Sequence, residues 1–219
     1  MIRPIITIPQ SFLRHLKVNW EIDWRGQSLG ANTAGYTQTV YNQFPRWFGA
    51  SEILLKGQEI AQWRAIRAKA QGRVGMYQVP LCDPVGYTGS RFGGGLKFST
   101  GFKFSTGKGF AYEPFCKAAR AAKAGATELR VSSSVTPNVG QIMSHNYWPF
   151  VVTEVIEITP GIFDLGVQMP LREAISAERE INLQATGLFE AVEDGMGQIT
   201  YDASRVVSVR LSLREVLNR

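Results

Sequence analysis

Near the C-terminus the chain alternates with period two: Val207, Val209, Leu211 and Leu213 fall on one side, Ser208, Arg210, Ser212 and Arg214 on the other. Successive side chains of an extended strand point to opposite faces, so this pattern predicts one long, half-buried strand. The same alternation occurs near the N-terminus, where Val18, Trp20, Ile22 and Trp24 interleave with Lys17, Asn19, Glu21 and Asp23. With such strands near both ends, the chain is expected to be mainly β. Thr37–Tyr41, Arg46–Leu55 and Val74–Pro80 are further β-prone stretches, and Arg25–Gly30, with two glycines, reads as a loop.

One helix interrupts this pattern. Ile60, Trp63, Ile66 and Ala70 recur at helical spacing between Gly57 and Gly72, predicting a helix over about 58–70. Trp63 is expected to pin it on a sheet. Arg64, Arg67 and Lys69 lie off the apolar stripe and read as a solvated face, with an acidic neighbour or phosphate as the functional alternative.

Residues 84–110 change character. Lys97-Phe98-Ser99-Thr100-Gly101 is followed by Lys103-Phe104-Ser105-Thr106-Gly107, and Lys108-Gly109-Phe110 resembles a truncated third copy. Six residues is too short a period for a solenoid unit, and the glycines do not form a phosphate-binding P-loop. An extended arm anchored by Phe98, Phe104 and Phe110 is the expectation. Beyond it, strand-like stretches at 125–131, 137–143, 147–158 and 161–167 are separated by turn residues and predict a small β-barrel or sandwich. The expected organisation is a β-sandwich domain with one flanking helix from 1–84 and 181–219, an arm over 85–114, and an inserted small β-domain over 115–180.

The chain's 24 basic and 18 acidic residues are unevenly spread. Residues 1–130 hold 18 basic against 7 acidic, and residues 131–219 hold 6 against 11. Such a chain could bind nucleic acid with its basic part, or set opposite charges across a subunit interface. No apolar run approaches the ~18 residues of a membrane helix, and the proline-broken N-terminus makes a poor signal peptide, so neither a membrane span nor classical export is expected. Cys82 and Cys116 read as buried free thiols, with pairing left open.

No catalytic constellation assembles from the sequence. His15 and His145 have no metal-like spacing to cysteines or carboxylates, and none of the familiar nucleophile or dinucleotide motifs occurs. No catalytic residue, cofactor or metal is therefore expected. A hydrolase would need His15 or His145 brought against a carboxylate and a nucleophile. Tyr147 and Trp148, beside Phe150, form a candidate ligand cluster. They give the alternative function, a binding module that recognises carbohydrate or single-stranded nucleic acid by stacking.

Several short motifs occur in order over roughly residues 45–175. Trp63-Arg64-Ala65-Ile66 leads to Gly72-Arg73-Val74-Gly75-Met76-Tyr77 and then Asp83-Pro84. The tandem Phe-Ser-Thr-Gly repeat follows, then Ala122-Lys123-Ala124-Gly125-Ala126-Thr127-Glu128-Leu129-Arg130-Val131, and finally Pro170-Leu171-Arg172. This series resembles minor tail proteins of long-tailed bacteriophages and gene-transfer agents, and its layout is most similar to distal tail proteins. The resemblance implies a structural virion protein without enzymatic activity, assembled in the host cytoplasm into the virion tail. It implies a ring, usually of six copies, joining the tail tube to the baseplate hub or fibres, with DNA passing through the lumen without specific binding. Trp63, Arg64, Arg67, Phe98, Phe104 and Phe110 are the expected interface residues.

Overall fold

The computed structural model describes residues 3–9, 11–12, 17–31, 33–42, 44–81, 100–102, 105–106, 114–200 and 206–219. In chain order the strands are β1 (Ile5–Thr7), β2 (Lys17–Asp23), β3 (Gln27–Ala31), β4 (Thr37–Val40) and β5 (Arg46–Lys56). The helix α1 (Gln58–Ala70) follows, then β6 (Met76–Pro80), β7 (Phe115–Ala118), β8 (Glu128–Ser132) and β9 (Ile142–His145). The last five are β10 (Trp148–Thr159), β11 (Ile162–Gln168), β12 (Glu180–Asn182), β13 (Thr186–Ala191) and β14 (Val206–Glu215). The fold is mainly β: a sandwich-like sheet arrangement flanked by one helix, and a closed six-stranded barrel.

Two compact units divide the chain. The first comprises Met1–Pro80 and Gly187–Arg219, the second Leu81–Thr186. In the first, six strands run in the order β1-β6-β13-β14-β5-β2. The period-two strand β14 buries Val207, Val209, Leu211 and Leu213 and pairs antiparallel with β5 from Val206↔Lys56 to Arg214↔Phe48. In a flat sheet β2 and β13 would stand about 14 Å apart, three strand spacings. Yet the rings of Trp20 on β2 and Phe189 on β13 have centroids 4.8 Å apart. The two side chains thus reach toward each other across the sheet, and Trp20 lies across β5 over Gly49, where a Cβ would fall 2.2 Å from its ring.

The helix begins after Gly57, whose φ of 52° suits glycine, and the Glu59 carboxylate accepts a hydrogen bond from the Lys56 amide at 2.9 Å. Gln71 ends it in the left-handed conformation, with its amide donating to the Arg67 carbonyl at 3.1 Å. Trp63 and Ala70 are fully buried, whereas Ile60 and Ile66 are half-buried, so the apolar stripe is narrower than its spacing suggests. Gly75 then passes so close to the helix end that a Cβ would meet the Ala70 carbonyl oxygen at 2.9 Å.

The second unit closes as a barrel in the order β10-β11-β8-β7-β12-β9. Alternate residues fill it, among them Cys116, Leu129, Val131, Met143, Phe150, Val152, Phe163, Leu165 and Ile181, as expected of so small a barrel. Two register shifts in the β10–β11 pairing lengthen β10 to 12 residues.

Two sequence expectations need correction. Arg25–Gly30 is not simply a loop, because Gln27–Ala31 forms β3 and pairs with β4. A boundary at 180/181 would cut β12, whose Ile181 pairs with Cys116 and whose Asn182 pairs with Ser144, so the barrel unit continues to Thr186. Most of the expected arm over 85–114, with Phe98, Phe104 and Phe110, lies outside the described residues, as do His15 and Cys82.

Candidate interaction surfaces

Trp63 is fully buried, and its indole Nε1 donates to the Gly197 carbonyl at 2.9 Å. Gly197 has φ 69° and no room for a Cβ, which would fall 2.5 Å from Trp63 Cζ2. Trp63 thus belongs to the interior of its unit, where it pins α1 to the turn between β13 and β14.

Arg64 is exposed and Arg67 half-buried. Both line a cleft of about 300 Å³ with Ala68, Gly72, Tyr77, Ala191, Asp194 and Met196. Asp194 is already engaged: it accepts from the Arg73 amide at 3.1 Å and from its guanidinium at 3.2 Å, and these bonds hold its carboxyl below the ordinary carboxylate value. Burial pushes the Tyr77 hydroxyl up, with Arg67 opposing. The cleft is thus lined by cations, a phenol and an occupied carboxylate, the chemistry of a contact with an acidic side chain.

In the barrel unit the β9–β10 turn carries Asn146 and Tyr147 at positive φ, 46° and 64°. Trp148 is half-buried with the Arg172 guanidinium 6.0 Å from its ring centroid, and Phe150 is buried. The cavity beneath, bounded by His145, Trp148 and Leu171, measures about 10 Å³. That is room for roughly one water, far below the ~300 Å³ of a small-molecule site. His145 is buried at the end of β9, with Nδ1 2.8 Å from the Glu180 carbonyl and Nε2 3.5 Å from Glu173 Oε1. Among the described residues no group of three His, Cys, Asp or Glu side chains is placed to hold a metal ion. Cys116 is a buried free thiol whose pKa burial pushes up to about 12.

The surface that sequence reasoning missed is the β3–β4 hairpin. It interrupts the β2–β5 pair just beyond Asp23↔Arg46 and pairs with no other strand among the described residues. All of β3 and β4 is exposed, and so are Leu29 (66%), Tyr36 (72%), Tyr41 (84%) and Phe44 (62%). One signal was available: no charged residue occurs from Gly26 to Pro45. An exposed segment with aromatic residues and no charge has the composition of an interface centre.

No protein-family model matches the chain, and no curated protein shows significant similarity to it.

Proposed function

We propose that the chain is a structural subunit of a phage-type tail, forming a ring that joins the tail tube to the baseplate hub or fibres. What carries this reading is the role of the ordered motifs as joints of the fold. Trp63 of the first motif locks α1 to Gly197, and Gly75 of the second packs on the end of that helix. The motif around Gly125 and the Pro170-Leu171-Arg172 motif meet by reciprocal hydrogen bonds: the Gly125 amide donates to the Leu171 carbonyl at 2.7 Å, and the Leu171 amide to the Ala126 carbonyl at 2.9 Å. These residues hold each β unit together from within rather than perform chemistry, and the chain acts by shape and contact. Six copies close the ring, DNA passes through it without specific binding, and the protein resides in the virion tail after assembly in the host cytoplasm.

Negative-stain imaging with light scattering tests the reading. Rings with a central hole and a mass about six times the 24.3 kDa chain support it. A chain that remains at 24.3 kDa at every concentration, alone and with tube and hub proteins, overturns it.

A further inference from the structure

Tyr77 on β6 is only 2% exposed, yet its hydroxyl hydrogen-bonds no described group. A phenol buried to this extent ordinarily finds a partner. The side chain lines the cleft of about 300 Å³ formed by α1, β6 and the β13–β14 turn. Arg67 lines the same cleft, half-buried, and forms no ion pair with a described residue. It lies near enough to Tyr77 to oppose the rise in the phenol's pKa.

The cleft's own carboxylate does not serve these two donors. Asp194 accepts from the Arg73 amide at 3.1 Å and from the Arg73 guanidinium at 3.2 Å. Gly72, at φ 68°, makes room for it, since a Cβ there would meet Asp194 Oδ1 at 2.7 Å. Burial raises the Tyr77 pKa above its ordinary 10.0, so the phenol stays neutral and donates. A cation and a neutral donor then share one cleft, and both lack an acceptor.

We propose that this cleft binds a carboxylate carried on a short apolar stem, with the Arg67 guanidinium and the Tyr77 hydroxyl donating to its oxygens. Charge-assisted bonds of this kind are the strong ones. Ala191 and Met196, both buried, line the cleft and offer the stem an apolar wall. A volume of about 300 Å³ stands at the lower end of small-ligand sites and suits a stem of a few carbons. Asp194 sets the class of anion, because it repels a phosphate dianion up to about twice as strongly as a carboxylate. The site lies within the first unit and does not depend on the ring reading.

The test titrates the isotope-labelled full-length chain with N-acetylglutamate N-methylamide, with butyrate, with N-acetylglutamine N-methylamide and with inorganic phosphate at neutral pH. Both carboxylates should shift the Arg67 Nε–H signal saturably, and the neutral glutamine derivative should not. Tighter binding of the glutamate derivative assigns the cleft to an acidic side chain, and tighter binding of butyrate to a free acid; either supports the proposal. Arg67→Gln, followed on the Tyr77 ring signals, should weaken carboxylate binding by about tenfold or more. Tyr77→Phe should weaken it by about tenfold and yet leave the urea midpoint unchanged, because the hydroxyl it removes has no partner in the free protein. No saturable shift, equal binding of the glutamine derivative, or tighter binding of phosphate overturns the proposal. So does a Tyr77→Phe chain that loses stability and keeps its affinity.

Discussion

Replacing Trp63 by phenylalanine keeps an aromatic ring between the helix and the turn at Gly197 but removes the indole N–H and the outer part of the ring. Trp63 is fully buried and its Nε1 donates to the carbonyl of Gly197, itself buried. Leaving that carbonyl without a donor costs about 1–3 kcal/mol. Losing two packed ring carbons costs about 1.6 kcal/mol more, at ~0.8 kcal/mol per buried carbon. The expected total is about 2.5–4.5 kcal/mol. In urea, with a slope of about 2 kcal/mol/M, the midpoint should fall by roughly 1.3–2.3 M. Tryptophan fluorescence follows the correct unit, because Trp20, Trp24, Trp47 and Trp63 all lie in the first unit and only Trp148 in the second. A Trp148→Phe background makes the signal exclusive. Gly197→Ala supplies the second arm of a double-mutant cycle. Against the native Trp63 the alanine Cβ would fall 2.5 Å from Cζ2, a clash that the smaller ring relieves, so the double variant should be more stable than the sum of the single effects predicts. Part of the Gly197→Ala cost, about 1 kcal/mol of left-handed backbone strain, should persist. A midpoint shift below about 0.5 M, or strict additivity, would refute the pin.

Gly49→Ala should place a Cβ 2.2 Å from the Trp20 ring and displace that ring from Phe189. The expected loss is about 1–3 kcal/mol, read by the same fluorescence titration and reduced when Trp20 is made smaller in the same chain. Asp164 is held below its ordinary value of 3.8 by the Arg130 guanidinium, at 2.6 and 2.7 Å. A carboxylate with a depressed native pKa adds stability that is present above its unfolded pKa and lost as pH falls through the native one. Thermal unfolding followed by circular dichroism below about pH 4 should therefore be less pH-dependent in Asp164→Asn than in wild type; identical acid limbs would contradict the pairing. Cys116, its pKa raised to about 12, should resist alkylation in the native protein and react on unfolding, which peptide mapping after iodoacetamide can follow. Rapid native alkylation would show the thiol to be accessible.

Long periodic elements were legible in the sequence because the signal repeats within them. β14 announces itself over eight alternating residues, and α1 by Trp63 and Ala70 set between glycines. β3 and β12 were not, for a different reason. Gln27–Ala31 has one large apolar side chain and a glycine at φ 87°, so nothing local distinguishes it from a turn; its identity comes from pairing across to β4. The three residues of β12 are strand only because Cys116 and Ser144 lie opposite them in a closing barrel. Of the expected interface residues, Trp63 is interior and Arg64 and Arg67 line a cleft, whereas Phe98, Phe104 and Phe110 fall outside the described residues. Periodicity identifies buried faces and is silent about exposed ones, so the hairpin surface was missed, its only sequence signal being the missing charges.

The charge asymmetry along the sequence has a similar explanation. The basic first part and acidic last part suggested either nucleic-acid binding by the basic part or opposite charges facing each other across an interface. But the chain returns after the barrel to complete the first unit, bringing acidic residues such as Glu190 and Asp194 among the arginines of the N-terminal part. Glu190 accepts from Arg3 at 2.7 Å and from Arg214 at 2.8 Å, so its charge is spent within the unit. Counted by unit, the first holds 14 basic against 9 acidic residues and the second 10 against 9. Neither unit is acidic, and two copies of such a chain gain little from long-range attraction. In the proposed ring, contact between like copies would then depend on burial of uncharged surface rather than on charge. Raising salt should therefore leave the assembly intact, since screening weakens exposed ion pairs and not apolar contacts. Dissociation in salt would place the contact on a charged surface such as the Arg64–Arg67 cleft.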